Sequence, residues 1–120
     1  MSAFAERVLE PAAAVLEICG KLINGDKVML VSPTLDAGDK YRHIISNFLN
    51  SCKMGDASNK SYVSTLTNGV IFFRSRGSEE GMRGMAVDYS YVFDPSMVNY
   101  DVQRTIALAT PNGEVVGIVA

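Results

Sequence analysis

The sequence is poor in metal-binding and redox side chains, with one histidine, His43, and two cysteines, Cys19 and Cys52, among 120 residues. His43 has no cysteine or second histidine at ligand spacing, which excludes the common zinc motifs and leaves it as a surface residue on a helix rim. Cys19 and Cys52 fall on apolar faces of predicted helices, where cysteine acts as a small hydrophobe, so both are expected as buried free thiols. No apolar run approaches the roughly 18 residues of a membrane span, and the N-terminus lacks the basic start and continuous apolar stretch of a signal peptide. A soluble intracellular protein is expected. Eleven Lys and Arg against thirteen Asp and Glu leave a formal charge of −2, which argues against broad binding to a nucleic-acid backbone while leaving a local basic patch open. A phosphate-binding loop of the form Gly-x-x-x-x-Gly-Lys-Ser/Thr is also missing. The one Gly-Lys pair, Gly20-Lys21, is followed by Leu22 and has Val15 where the first glycine is required, so the cradle of backbone N–H groups cannot form there.

Hydrophobic content is high, at 48%, enough to bury one core over residues 1–120 as a single domain. Phe4, Val8, Leu9, Ala12, Val15, Leu16, Cys19, Leu22 and Ile23 recur at helical spacing, predicting a helix over 3–23 in which Pro11 either makes a kink or opens the main part. The short apolar run 27–32 reads as a strand buried on both faces, as in a parallel sheet. Tyr41, Ile44, Ile45, Phe48, Leu49 and Cys52 give an amphipathic helix over 36–52; residues 53–60 read as a loop. Segments 61–66 and 70–74 flank Thr67-Asn68-Gly69, and Asn-Gly tolerates the positive φ of a tight turn, so an antiparallel hairpin is expected. Three glycines make 74–87 a surface loop. Strands are expected at 89–93, 105–109 and 114–119, with a short helical or irregular segment at 96–104 and a turn at Pro111-Asn112-Gly113. Together these predict an α/β domain: a mainly parallel sheet with flanking helices and an inserted β-hairpin.

These pieces resemble, from about Ala12 to Gly113, the ATPase domain of the large terminase subunit, the P-loop motor that packages DNA into tailed-bacteriophage heads. The resemblance rests on five features in order: a strand ending in Pro33-Thr34 after the first helix; the hairpin at Asn68-Gly69; a following strand leading into a serine-containing loop; Arg83-Gly84 ahead of the acidic, apolar strand that ends in Phe93-Asp94; and the turn Thr110-Pro111-Asn112-Gly113. It implies that Asp94 would organise magnesium, that Arg83 and Gly84 would sense phosphate or couple the motor, and that Thr110, Asn112 and Gly113 would form a coupling turn.

The departures point the other way. The family carries Asp-Glu where this sequence has Asp94-Pro95, and proline can neither accept a proton nor orient a water. The preceding strand, the P-loop and the following nuclease domain have no counterpart, although Ser2 stands where a Gly-Lys-Ser would end. The expectation is therefore a degenerate, incomplete P-loop ATPase core: a phage protein without catalytic residues, cofactor or metal, acting in the host cell cytoplasm by binding a terminase or another motor subunit. Alternatives are one part of a split terminase ATPase whose P-loop lies on another chain, or a structural or anti-defence phage protein that kept the fold. Loss of a central strand would leave unpaired hydrogen-bonding groups, so a homo-oligomer joined through a strand edge or the first helix is also expected.

Overall fold

Pro11 decides how the chain begins in the computed structural model, which describes residues 4–119. Proline has no N–H and biases its predecessor toward extended backbone. Glu10 is accordingly extended, and helix α1, Pro11–Ile23, opens on the proline. The residues ahead of it do not continue the expected helix; they form strand β1, Arg7–Leu9. Ser2 lies outside the described residues. Strand β2, Lys27–Ser32, is buried over its last five residues. Thr34 then caps helix α2, Leu35–Ser51, its hydroxyl accepting from the Ala37 N–H at 3.1 Å. Cys19 is buried, and burial pushes its thiol up to about 11. Cys52 is not buried as expected: it caps the exposed C-terminal end of α2.

Strands β3, Gly55–Ser58, β4, Tyr62–Thr65, and β5, Val70–Ser75, follow as an antiparallel meander. The Asn-Gly hairpin forms as expected, with Asn68 at φ 69°. The stretch 53–60 is thus part strand, because β4 offers a ladder that its polar sequence does not announce. Within 74–87 the four-residue helix α3, Glu79–Met82, is pinned by the buried side chains of Met82 and Val87. Strand β6, Tyr89–Phe93, and a 3-10 turn at Pro95–Met97 lead to helix α4, Tyr100–Ala109, and strand β7, Glu114–Ile118.

The strand expected at 105–109 is therefore a helix. Taken alone, Thr-Ile-Ala-Leu-Ala is apolar and strand-like. Joined to the residues before it, Val102, Thr105, Ile106 and Ala109 make one buried helical face, and Asn99 accepts from the Val102 N–H at 3.0 Å to start it.

The seven strands of the described residues join one sheet in the order β1-β7-β6-β2-β5-β4-β3. The five from β1 to β5 in that order are parallel. Helices α1 and α2 pack on one face against Val28, Leu30, Tyr91 and Phe93. Helix α4 and Met82 of α3 cover the other, against Met29, Val31 and Val92. Alternate residues of the same strands thus feed two cores, which is why their sequences are continuously apolar. No gap interrupts the parallel region, since β7 pairs with β1 on one side and β6 on the other. The outer strands are short: β1 has three residues, and β3 shifts register along β4. That removes the long unpaired edge from which strand-mediated association was expected. Among the described residues no helix is long and apolar enough to cross a membrane.

Candidate functional site

In open α/β sheets ligands are held outside the carboxyl ends of the parallel strands. Here that edge is formed by the β1–α1 junction, Ser32 to Thr34 after β2, Arg76 after β5 and Asp94 after β6. Arg76 ties it together. Its backbone N–H donates to Ser32 O at 2.9 Å, and its guanidinium reaches across the end of β2 so that Nη2 donates to Phe93 O at 2.9 Å. The same nitrogen lies 3.8 Å from the Asp94 carboxylate. Arg76 Nε and the Ser32 hydroxyl are buried without a hydrogen-bond partner; the hydroxyl is pressed under the first turn of α2, 2.9 Å from where a Cβ on Gly38 would sit.

Asp94 terminates β6 in a left-handed conformation, φ 46° and ψ 63°, a sparsely populated region for a non-glycine residue that must be held by its surroundings. Its N–H donates to Ile118 O at 2.9 Å and its carbonyl accepts from Met97 N–H at 2.8 Å. The next residue is fixed by packing: the Pro95 ring lies over Gly117, where an added Cβ would come within 2.8 Å of it. The position that the resemblance assigns to a water-activating carboxylate is filled by a ring seated on β7. Among the described residues, no group of three His, Cys, Asp or Glu side chains is gathered anywhere.

A P-loop joins a strand to the helix that follows it. Between β1 and α1 there is one residue, the exposed Glu10, whose side chain makes no capping bond. A single residue cannot wrap a phosphate, Pro11 offers no N–H, and Glu10 at the N-cap brings a charge of the wrong sign to admit an anion at the positive end of the helix dipole.

The other expected site residues do not join Asp94. Arg83 follows α3 and pairs with Glu79 at 3.7 Å and Glu80 at 3.3 Å. With Gly84, at φ 79°, it lines an open groove between α3 and α4 whose floor includes Met82, Thr105 and Ala109. Thr110, Asn112 and Gly113 sit at the amino end of β7, which is the opposite end of the parallel strands from Asp94. Five strand residues separate the two ends, about 16 Å. Thr110 is buried, shares a 2.5 Å hydrogen bond with Ser90 and donates to Ile106 O at 2.9 Å. Gly113 touches the Asp88 carbonyl. The coupling turn expected to close a strand therefore precedes one instead, and its residues join α4 to β7. His43 is on the surface, 3.5 Å from Asp39. Arg76 falls in the segment expected as a surface loop; it follows directly on β5, and the apolar run at the start of that strand was the signal that a strand end lay beside it.

A second polar cluster lies under α1. Arg7 bridges Glu17 at 2.5 Å and Glu114 at 3.1 Å, and the buried Tyr91 donates its hydroxyl to Glu17 at 2.5 Å. The Arg7 hydrogen bond holds the Glu17 carboxyl below its ordinary range, with Tyr91 adding to the effect against the opposing pull of burial. Burial first, and then the hydrogen bond to Glu17 and its charge, push the Tyr91 phenol well above its ordinary value.

Neither a protein-family profile nor any curated protein matches the sequence. Solved structures do match. The ATPase domain of the Thermus phage P74-26 large terminase superposes with a TM-score of 0.70 at 12% identity, covering 99% of this chain and 60% of that one. The large terminase of the thermophilic bacteriophage D6E gives 0.70 at 6% identity over 93% of this chain and 32% of that one; its complex with ADP gives 0.68 at 6%. The chain thus has a terminase-like ATPase fold, and spans 60% of the first relative and about a third of the second.

Proposed function

We propose that this chain is a non-catalytic phage protein that keeps a terminase-like ATPase fold and acts by binding, with a DNA-packaging motor or another nucleic-acid-processing machine in the host cytoplasm as its partner. The reading rests on the β1–α1 junction. Phosphoryl transfer depends on positioning the phosphates and stabilising their charge, and the junction offers one acidic residue and a proline where a cradle is needed. Pro95 supports the same reading, since packing on Gly117 replaces a proton acceptor. Arg76 already partners Asp94, leaving that carboxylate a poor magnesium ligand without substrate phosphates.

With magnesium and ATP, the expected result is phosphate release at the no-protein blank and no calorimetric binding below about 1 mM ATP. Pro95→Glu is expected to remain inactive, because the phosphates are still not held. Turnover above the blank that Asp94→Ala abolishes would overturn the proposal. Titration with the complete large terminase of the same phage tests the partner: a micromolar or tighter complex supports the packaging motor, and no complex removes it.

A second reading is a split ATPase, favoured by the Asp94 carboxylate and Arg76 standing together at the carboxyl end of the parallel strands. A separate polypeptide ending in a P-loop would then supply the missing grip, and mixing the two chains would produce turnover that neither has alone.

A further inference from the structure

Among the described residues, the three most exposed large hydrophobic side chains cluster at one place. Tyr100 is 75% exposed, Met97 72% and Leu108 70%. Tyr100, Arg104 and Leu108 recur every four residues, so they form one stripe along the outer face of α4, with Met97 in the turn ahead of it. Exposed tyrosine, arginine and large apolar side chains gathered on one face are the composition of an interface centre rather than of ordinary surface. The nearby Asp101 and Arg104 are both exposed, and neither makes an ion pair among the described residues, although they stand one turn apart.

From this arrangement we propose that α4 docks on α4 of a second copy of this chain in an antiparallel, two-fold symmetric pair. The stripe is self-complementary. A two-fold axis passing between Val102 and Gln103 sets Asp101 of each copy level with Arg104 of the other, so both unpaired charges find partners twice over. The same axis brings Tyr100 between Arg104 and Leu108 of the other copy, where the guanidinium can lie on the ring and the leucine can cover its edge. A parallel arrangement gives no such match, because like charges then share a level. A two-fold contact uses the same patch on both copies, which is what a stripe that complements itself allows. A contact built on one ten-residue helix falls below the roughly 1,200 Å² of a standard interface, so the dimer belongs to the weak class. It is independent of the identity of any other partner.

Sedimentation equilibrium across about 10 to 500 µM tests this. The wild-type mass is expected to rise from 13.0 kDa toward twice that value. Arg104→Asp, which turns both charge pairs repulsive, is expected to weaken association at least tenfold, as is Leu108→Glu. Asp101→Arg combined with Arg104→Asp restores the pairs with exchanged sign and is expected to recover association. Circular dichroism identifies any variant that has lost its fold. A wild-type chain that stays monomeric over the whole range would overturn the proposal, and so would a folded charge-swapped double variant that associates no better than Arg104→Asp.

Discussion

Gly113→Ala is expected to destabilise the protein by on the order of 3 to 5 kcal/mol, among the largest effects of any single methyl group in the chain. An added Cβ would fall within van der Waals overlap of the Asp88 carbonyl, 1.7 Å from its oxygen. Neither backbone can yield cheaply. The Asp88 carbonyl accepts from Glu114 N–H at 3.4 Å, the Asp88 N–H donates to Lys27 O at 2.8 Å, and the Asp88 carboxylate accepts from Lys27 N–H at 2.8 Å. Moving Asp88 thus disturbs the entry of β2, β6 and β7 together. Thermal unfolding should show a drop of about 10 to 20 °C. Gly20→Ala is the control: it lies inside α1 with nothing within 4 Å of the added carbon, and should stabilise by about 0.5 to 1 kcal/mol through helix propensity and a smaller unfolded-state entropy. The contrast bears on function as well. The resemblance makes Gly113 part of a coupling turn, whereas the structure gives it a packing reason to be glycine. A Gly113→Ala protein of unchanged stability would contradict that reason.

The pH dependence of stability should be bounded at both ends by the cluster under α1. Above the ordinary tyrosine value of about 10, the unfolded chain releases the Tyr91 proton while the folded chain keeps it, because burial and the Glu17 charge raise the folded value. The folded state then binds more protons, and stability falls by about 1.4 kcal/mol for each pH unit. Tyr91→Phe removes this contribution. It should lower stability at neutral pH by about 1 to 2 kcal/mol through the lost hydrogen bond, yet show a shallower alkaline decline than wild type. At the acid end the sign reverses. Arg7, aided by Tyr91, lowers the folded Glu17 value below its ordinary 4.5, so this stabilisation is complete above that pH and is lost as pH falls toward the folded value. Glu17→Gln should flatten the acid limb. Urea midpoints from about pH 3 to 11 separate the cases. Wild type and variant differ at this one phenol, so equal alkaline slopes for wild type and Tyr91→Phe would refute the assignment.

Local pattern was enough wherever an element's own residues carried its period. The buried strand at Lys27–Ser32, the helix at Leu35–Ser51, the Asn-Gly hairpin and the strand at Tyr89–Phe93 were legible for that reason, and with them the α/β class and the terminase-like fold. The same sequence determined that no phosphate loop could form at Gly20-Lys21 and that Pro95 could not accept a proton. Tertiary structure decided the remainder. Residues Gly55–Ser58 became a strand because β4 presented an open ladder, and the apolar pentapeptide at the end of α4 became helical because Asn99 capped a longer amphipathic face. Thr110, Asn112 and Gly113 were separated from Asp94 because the strand they adjoin begins rather than ends with them, a direction that spacing along the chain does not encode. Arg76 reached Asp94 because β2 lies between β5 and β6 in the sheet. Strand order is set by which faces two helices can cover at once, and that is a property of the packed layers, not of any window of sequence.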